Sequence, residues 1–247
     1  MTYKIKPIFL GSTVIDKSEC LLNATLGEKI ETVYSCFALQ DDLGEVILVD
    51  TGLMSQSEIR RRSLPFRQMD NAPDFLEALN RADIDFTKIR RCILTHLHYD
   101  HSCNLRLLPA LREIYVQKTE VLYALSPEEV DYYYYMIRPD CGRCEWLDGI
   151  GKFVYTDGDA HITDGLEVIL TPGHSPGSQC VVVDTKDGKY ILTGDTISIL
   201  ESFENCVPNR ICHDVNAWKE SHRKIKSYHA KLLPSHDSVI FSKKVYG

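Results

Sequence analysis

The sequence predicts an α/β fold, and three observations carry that prediction. Short apolar runs suited to buried strands, such as Val46–Val49 and residues 90–95 and 179–185, recur between stretches with helical spacing, such as 119–125 and 214–228. The length, 247 residues, is ordinary for one large α/β or sandwich domain, and no repeat, low-complexity tract or Gly/Ser-rich linker interrupts it, so residues 1–247 read as one domain. Histidines and aspartates collect at the ends of the predicted strands, where loops on a rigid scaffold carry function.

Composition narrows the class. A hydrophobic content of 44% with 26% charged residues is that of a soluble globular chain, long enough to need no disulfide staples. The net charge of −7 speaks against a nucleic-acid partner. The segment Met1–Pro7 has no long apolar core and no small-residue cleavage site, and no apolar run approaches the ~20 residues that cross a bilayer. The expectation is a cytoplasmic protein without a membrane partner, its nine cysteines mostly free thiols.

Taken in order, residues 3–10 and 32–40 read as strands joined through a loop containing Asn23 and Gly27. Val46–Val49 is a buried strand ending in Asp50-Thr51-Gly52. Residues 55–72, with Arg60-Arg61-Arg62, read as a solvated face or loop; the alternative is a flap whose Phe66 touches a ligand. Residues 73–79 open a helix, since proline is tolerated in a first turn and Asp74 and Glu77 favour the positive end of the dipole. A strand at 90–95, a helix at 103–112, a strand at 114–116 and a helix at 119–125 follow. The run Tyr132-Tyr133-Tyr134-Tyr135 cannot share one helix face: some rings pack within an aromatic helix, and others reach solvent, a pocket wall or a second copy in a homodimer. Cys141-Gly142-Arg143-Cys144 lacks a second pair to complete a four-ligand zinc site and lacks the strand–CxxC–helix setting of a redox motif, so it reads as two ordinary thiols. Strands at 166–171, 179–185 and 189–194 precede a helix at 214–228, with Asp214 as N-cap and Val215, Trp218, His222 and Ile225 on one side. A short strand at 231–234 ends the series.

The chemistry concentrates in Thr95-His96-Leu97-His98-Tyr99-Asp100-His101, where three of the nine histidines fall within six positions. An extended chain sends His96 and His98 to the same side. Asp100 and His101 follow as the chain turns and can face a second point nearby. Two adjacent divalent ions are the simplest use of that geometry, since imidazole nitrogen and carboxylate oxygen are ligands of zinc and its neighbours. Three further candidates sit at strand ends: His174 in Thr171–Ser178, Asp195 after Leu192-Thr193-Gly194, and His236 after Leu233-Pro234-Ser235.

The pattern His96-x-His98-x-Asp100-His101, with the turn Val49-Asp50-Thr51-Gly52, resembles the signature of the metallo-β-lactamase fold. That resemblance implies an αβ/βα four-layer sandwich: two mixed β-sheets packed face to face, with helices on the outer faces. It implies that His96, His98 and His174 hold one metal, that Asp100, His101 and His236 hold a second, and that Asp195 bridges them. Asp50 is then a structural partner of the ligating histidines. Zinc is the expected metal; iron, manganese and cobalt accept the same donors. The chemistry so implied is hydrolysis: a water bridging the metals becomes hydroxide near neutral pH and attacks a carbonyl carbon, with Asp100 orienting it and shuttling a proton to the leaving group.

Within that family the chain is most similar to the N-acyl homoserine lactonases. The similarity runs through Gly173-His174-Ser175-Pro176-Gly177 and through Ser202-Phe203-Glu204-Asn205 to Val207-Pro208. Only 11 residues follow His236, which leaves no room for the helical domain of glyoxalase II-type thioesterases. His98 stands where flavin-linked di-iron relatives carry glutamate, and no basic arm of the kind found in tRNA-processing nucleases is present. The resemblance therefore implies opening of an N-acyl homoserine lactone or a related small lactone. Thioester, cyclic amide and phosphodiester hydrolysis are the alternatives within the enzyme class, and an iron-based redox or sensing protein the alternative outside it. One position departs from the lactonases: they carry a tyrosine three residues after the bridging aspartate, and this sequence has Ser198. Tyr99 and Phe66 are candidate pocket walls beside it.

Overall fold

The computed structural model describes residues 1–64, 69, 71–141 and 143–247. Six strands form the first sheet in chain order: β1 (Tyr3–Asp16), β2 (Lys29–Asp41), β3 (Val46–Val49), β4 (Arg91–Ile93), β5 (Glu113–Gln117) and β6 (Phe153–Thr156). The second sheet holds β7 (Ala160–Thr163), β8 (Leu166–Leu170), β9 (Gln179–Thr185), β10 (Gly188–Leu192) and β11 (Lys231–Leu233), in the order β11-β10-β9-β8-β7. Both sheets are mixed. In the first, β1–β2–β3 pair antiparallel and β3 to β6 run parallel. In the second, only β10 and β11 are parallel. The helices are α1 (Gln56–Arg61), α2 (Phe75–Arg81), α3 (Tyr99–Ser102), α4 (Lys118–Leu125), α5 (Leu200–Asn205) and α6 (Val215–Ser227).

Alternation along the strands divides the core into layers. Ile5, Phe37, Leu39, Ile47, Val49 and Ile93 of the first sheet face Val168, Val181, Val183 and Leu192 of the second. The other face of the first sheet, with Ala38, Leu48 and Cys92, packs on Ile59 of α1 and Phe75, Ala78 and Leu79 of α2. The other face of the second, with Cys180, Val182 and Ile191, packs on Trp218 and Ile225 of α6. Strands buried on both faces explain the continuous apolar runs. This is the predicted αβ/βα four-layer sandwich. Among the described residues no helix is long and apolar enough to cross a membrane.

Several boundaries differ from the sequence reading. β1 continues to Asp16, because a bulge between Phe9 and Gly11 resets its alternation in mid-strand. Residues 103–112 are not a helix: only Leu105–Leu107 makes a 3-10 turn, Pro109 supplies no N–H, and Leu105, Leu108 and Leu111 are buried by successive turns. The tyrosine run is likewise not a helix but a set of turns after a 3-10 segment at Glu129–Asp131, closed by Met136 at φ +59°. Residues 55–72 are not all loop, since Ser55 caps α1 through its hydroxyl; the Phe66 flap lies outside the described residues. On α6, Trp218, His222 and Ile225 are buried as expected, with Ser221, while Val215 is exposed.

Candidate metal centre

All the ligand candidates sit beyond the C-terminal ends of strands at one edge of the sandwich. β3 delivers Asp50 and β4 delivers the His96–His101 turn; β8, β10 and β11 deliver His174, Asp195 and His236. Buried Gln179 at the start of β9 ties the edge together: its N–H donates to the Thr95 carbonyl and its side-chain amide to the Leu94 carbonyl. His98 ends the extended segment as the N-cap residue of α3, so the next turn swings Asp100 and His101 round to a second point.

The side chains converge in two groups. His96, His98 and His174 form the first; Asp100, His101, Asp195 and His236 form the second. His174 Nε2 lies 3.2 Å from His96 Nε2 and 3.0 Å from His98 Nδ1. Tetrahedral zinc with Zn–N bonds of about 2.0–2.1 Å has N···N edges of about 3.3 Å, so the spacing fits one such ion. In the second group His236 Nε2 and His101 Nε2 lie 3.0 Å and 3.2 Å from Asp195 Oδ1. Asp100 Oδ2 is 3.6 Å from His236 Nε2 and 3.8 Å from His101 Nε2. The other Asp195 oxygen, Oδ2, is 3.6 Å from His174 Nε2. Asp195 therefore turns one oxygen to each group, the geometry of a bridging carboxylate.

Hydrogen bonds at the far ring nitrogens aim the histidines. His174 Nδ1 donates to the Ile211 carbonyl at 2.7 Å, His236 Nδ1 to the Val33 carbonyl at 2.8 Å, and His101 Nδ1 to Asp50 Oδ2 at 2.8 Å. A nitrogen facing a carbonyl or carboxylate oxygen must carry the proton, which sets the tautomer and leaves Nε2 turned to the centre. Asp50 also accepts from the Thr95 N–H at 2.7 Å and the Thr95 hydroxyl at 2.8 Å. Its backbone is held at φ +64°, a left-handed conformation that an aspartate tolerates better than most residues.

Charge separates the two groups. Burial, reinforced by neighbouring imidazoles, pushes His96 and His98 well below the ordinary histidine range, so their lone pairs are available to a metal. For His101 and His236 burial opposes the charge, but the surrounding carboxylates, Asp195 foremost and Asp100 with it, together outweigh burial and raise both. Burial also opposes the charge of Asp195, yet His236 and His101 hold its carboxyl well below the usual range. Among the described residues His101 Nε2 is buried and makes no hydrogen bond, an unpaired ring nitrogen whose lone pair a cation in the second group would engage. Residue types, spacing and orphaned nitrogen all fit a pair of divalent ions.

A cavity of about 380 Å³ opens over the centre, within the range of small-molecule sites. His98, Asp100, Asp195 and His236 are in its lining, with Tyr99, Tyr133 and Tyr134 along its wall. Ser198 lines it too, but its hydroxyl is engaged, accepting from Asn209 Nδ2 at 2.8 Å and donating to the Asp195 carbonyl at 3.4 Å. The Tyr134 ring tilts against His98 at 5.2 Å, and its hydroxyl has no hydrogen-bond partner among the described residues. The sequence reading missed Tyr34, which packs edge-on to His236 at 5.2 Å from β2, and Asn209, which reaches both Ser198 and His174. No local pattern marks either residue. Cys141 and Cys144 contribute nothing to the two groups, and all nine cysteines are free thiols.

Comparison with known proteins agrees with this geometry. The N-acyl homoserine lactonase AiiA of Bacillus thuringiensis subsp. kurstaki is 28% identical over 208 residues, covering 80% of this chain and 77% of the relative. A probable polyketide biosynthesis zinc-dependent hydrolase, BaeB, of Bacillus velezensis is 30% identical over 181 residues, covering 70% of this chain and 64% of the relative. Among solved structures, a quorum-quenching N-acyl homoserine lactone lactonase superposes with a TM-score of 0.76 at 26% identity, covering 97% of this chain and 94% of that one. An N-acyl homoserine lactone hydrolase with the product N-hexanoyl-L-homoserine at its catalytic metal centre superposes with a TM-score of 0.75 at 25% identity, covering 98% and 96%. The family model of the metallo-beta-lactamase superfamily matches residues 31–236, from the second strand to the last ligand candidate. The chain belongs to the metallo-β-lactamase superfamily.

Proposed function

We propose that the protein is a dinuclear metal hydrolase that opens the ring of an N-acyl homoserine lactone or a related small lactone. The observation that carries this reading is Asp195, one oxygen turned to each donor group beneath a tyrosine-lined cavity. His96, His98 and His174 would hold one ion, Asp100, His101 and His236 the other, with Asp195 between them. Bound there, divalent ions supply an activated water and a Lewis acid for the substrate carbonyl. Zinc is our reading of the metal, although the donor set also suits iron, manganese and cobalt.

The chain's own groups do the rest. Asp100, half-buried and in the cavity lining, is placed to take a proton from the attacking water on its carboxylate and return it to the leaving ring oxygen. Tyr134 offers a hydroxyl from the wall to the substrate carbonyl, in place of the engaged Ser198. Tyr99 and Tyr133, packed edge to face at 5.3 Å, give the acyl portion an apolar wall.

The test is ring opening by zinc-loaded protein of a panel of N-acyl homoserine lactones and unrelated γ-lactones, followed as acid release beside a thioester and bis-p-nitrophenyl phosphate. The expected result is lactone turnover, with Asp100→Asn lowering kcat by roughly 10²–10⁴-fold. Turnover of the thioester or the phosphodiester alone would sink the lactonase reading.

A further inference from the structure

We infer that Glu120 positions the first donor group, locking together the two loops that carry His96, His98 and His174. The inference rests on the dinuclear reading above. Glu120 lies in the first turn of α4, is completely buried and forms no ion pair among the described residues. Its carboxylate accepts four hydrogen bonds instead. Oε1 takes the Leu97 N–H at 3.0 Å and the Tyr135 hydroxyl at 2.9 Å. Oε2 takes the Ser175 hydroxyl at 2.7 Å and the Gly177 N–H at 3.0 Å.

Each contact touches the first group. Leu97 lies between His96 and His98 in sequence, and Ser175 follows His174 directly. Tyr135 packs its ring edge-on to His98 at 4.8 Å. One carboxylate therefore sets the loop after β4, the loop after β8 and the aromatic wall of His98 in a single register. Gly177 permits the close approach: a Cβ there would stand 2.2 Å from the Glu120 backbone nitrogen. The second group receives no bond from Glu120; its carboxylate anchor is Asp50.

The arrangement also explains why the residue is an acid and not an amide. Each oxygen faces a backbone N–H, from Leu97 on one side and Gly177 on the other, and a backbone N–H can only donate. A glutamine in either flip would set its own NH₂ against one of them, leaving a buried donor unpaired. Glu120→Gln thus breaks the clamp while keeping size and shape.

The experiment is a zinc competition titration against a chromophoric chelator. The binding steps are assigned with His174→Ala, expected to abolish the first, and His236→Ala, expected to abolish the second. We expect Glu120→Gln to weaken the first step by roughly 10–100-fold and to leave the second unchanged. Thermal melting of the metal-free variant shows whether it folds. Should it not, the double variant Ser175→Ala, Tyr135→Phe removes two of the four donors, keeps the acid and is expected to weaken the same step selectively. Equal weakening of both steps, or of neither, would reduce Glu120 to fold support and overturn the inference. Wild-type protein that takes up no zinc in a first step would overturn the dinuclear reading as well; two wild-type steps unaltered by Glu120→Gln would overturn this inference alone.

Discussion

The two donor groups at the sandwich edge are built on opposite principles. The first is three buried imidazoles, of which burial and neighbouring imidazoles keep His96 and His98 neutral, and it gains precision from loops clamped around Glu120. The second mixes two imidazoles with two carboxylates, and its balance comes from opposite charges within the group. Its anchors differ as well: Asp50 for His101, the Val33 carbonyl for His236 and the Ser235 hydroxyl, which donates to Asp195 Oδ1 at 2.7 Å. Neutral donors need only be held still, whereas charged donors attract or repel one another and set their own protonation. The second group also borders the cavity through Asp100, Asp195 and His236, while the first reaches it only through His98. On the proposed function, substrate chemistry would therefore belong mainly to the second side, and metal holding to the first.

The largest expected effect removes the difference by cutting the shared residue. Asp195→Ala removes both carboxylate oxygens, one from each group, so metal counting by mass spectrometry should show both occupancies falling, with lactone turnover dropping to the level of metal-free protein. Retention of one full equivalent of metal would mean that the groups are independent and Asp195 serves only one. Next comes the cavity wall. Tyr134→Phe should lower kcat by roughly 10²-fold, the usual cost of losing one donor to a developing oxyanion, with little change in metal content. Ser198→Ala should cost less, because that hydroxyl is already bonded to Asn209 and the Asp195 carbonyl; the reverse order would assign the carbonyl contact to Ser198.

A smaller effect sharpens the contrast between the anchors. Asp50→Asn should weaken the second zinc step by roughly 10–100-fold and spare the first, the mirror image of Glu120→Gln. Loss of both steps together would show that the Asp50 bonds to Thr95 matter more than its bond to His101. The smallest change belongs to the CxxC. Cys141→Ala with Cys144→Ala should leave metal stoichiometry and the visible spectrum unaltered, because neither sulfur approaches the centre; a change in either would revive the iron-based redox reading.

How much could be read beforehand depends on how local the cause is. The seven metal-group residues stood out because ligand chemistry admits few residue types and because they lie in turns that directly follow apolar strands. The strands themselves were legible from continuous apolar runs such as Cys180-Val181-Val182-Val183, buried on both faces. The spacing of Leu105, Leu107, Leu108 and Leu111 misled, because burial by successive turns produces much the same pattern as a helix. The end of β1 was hidden by its bulge. Glu120 went unmarked in the sequence, since nothing near it announces four donors arriving from residues 97, 135, 175 and 177.

The sequence by itself thus determined the donor set, the strand-and-turn units that present it and the departure at Ser198, because residue chemistry and local periodicity suffice for those. Only the tertiary structure decided which atoms meet. It brought the Val33 carbonyl to His236 across 203 residues of chain, turned the two oxygens of Asp195 to different groups, and made Glu120 a clamp and Tyr134 a wall. Those outcomes depend on the face-to-face packing of two sheets that brings their loops together at one edge, and no stretch of chain encodes a contact whose other half lies on the opposite sheet.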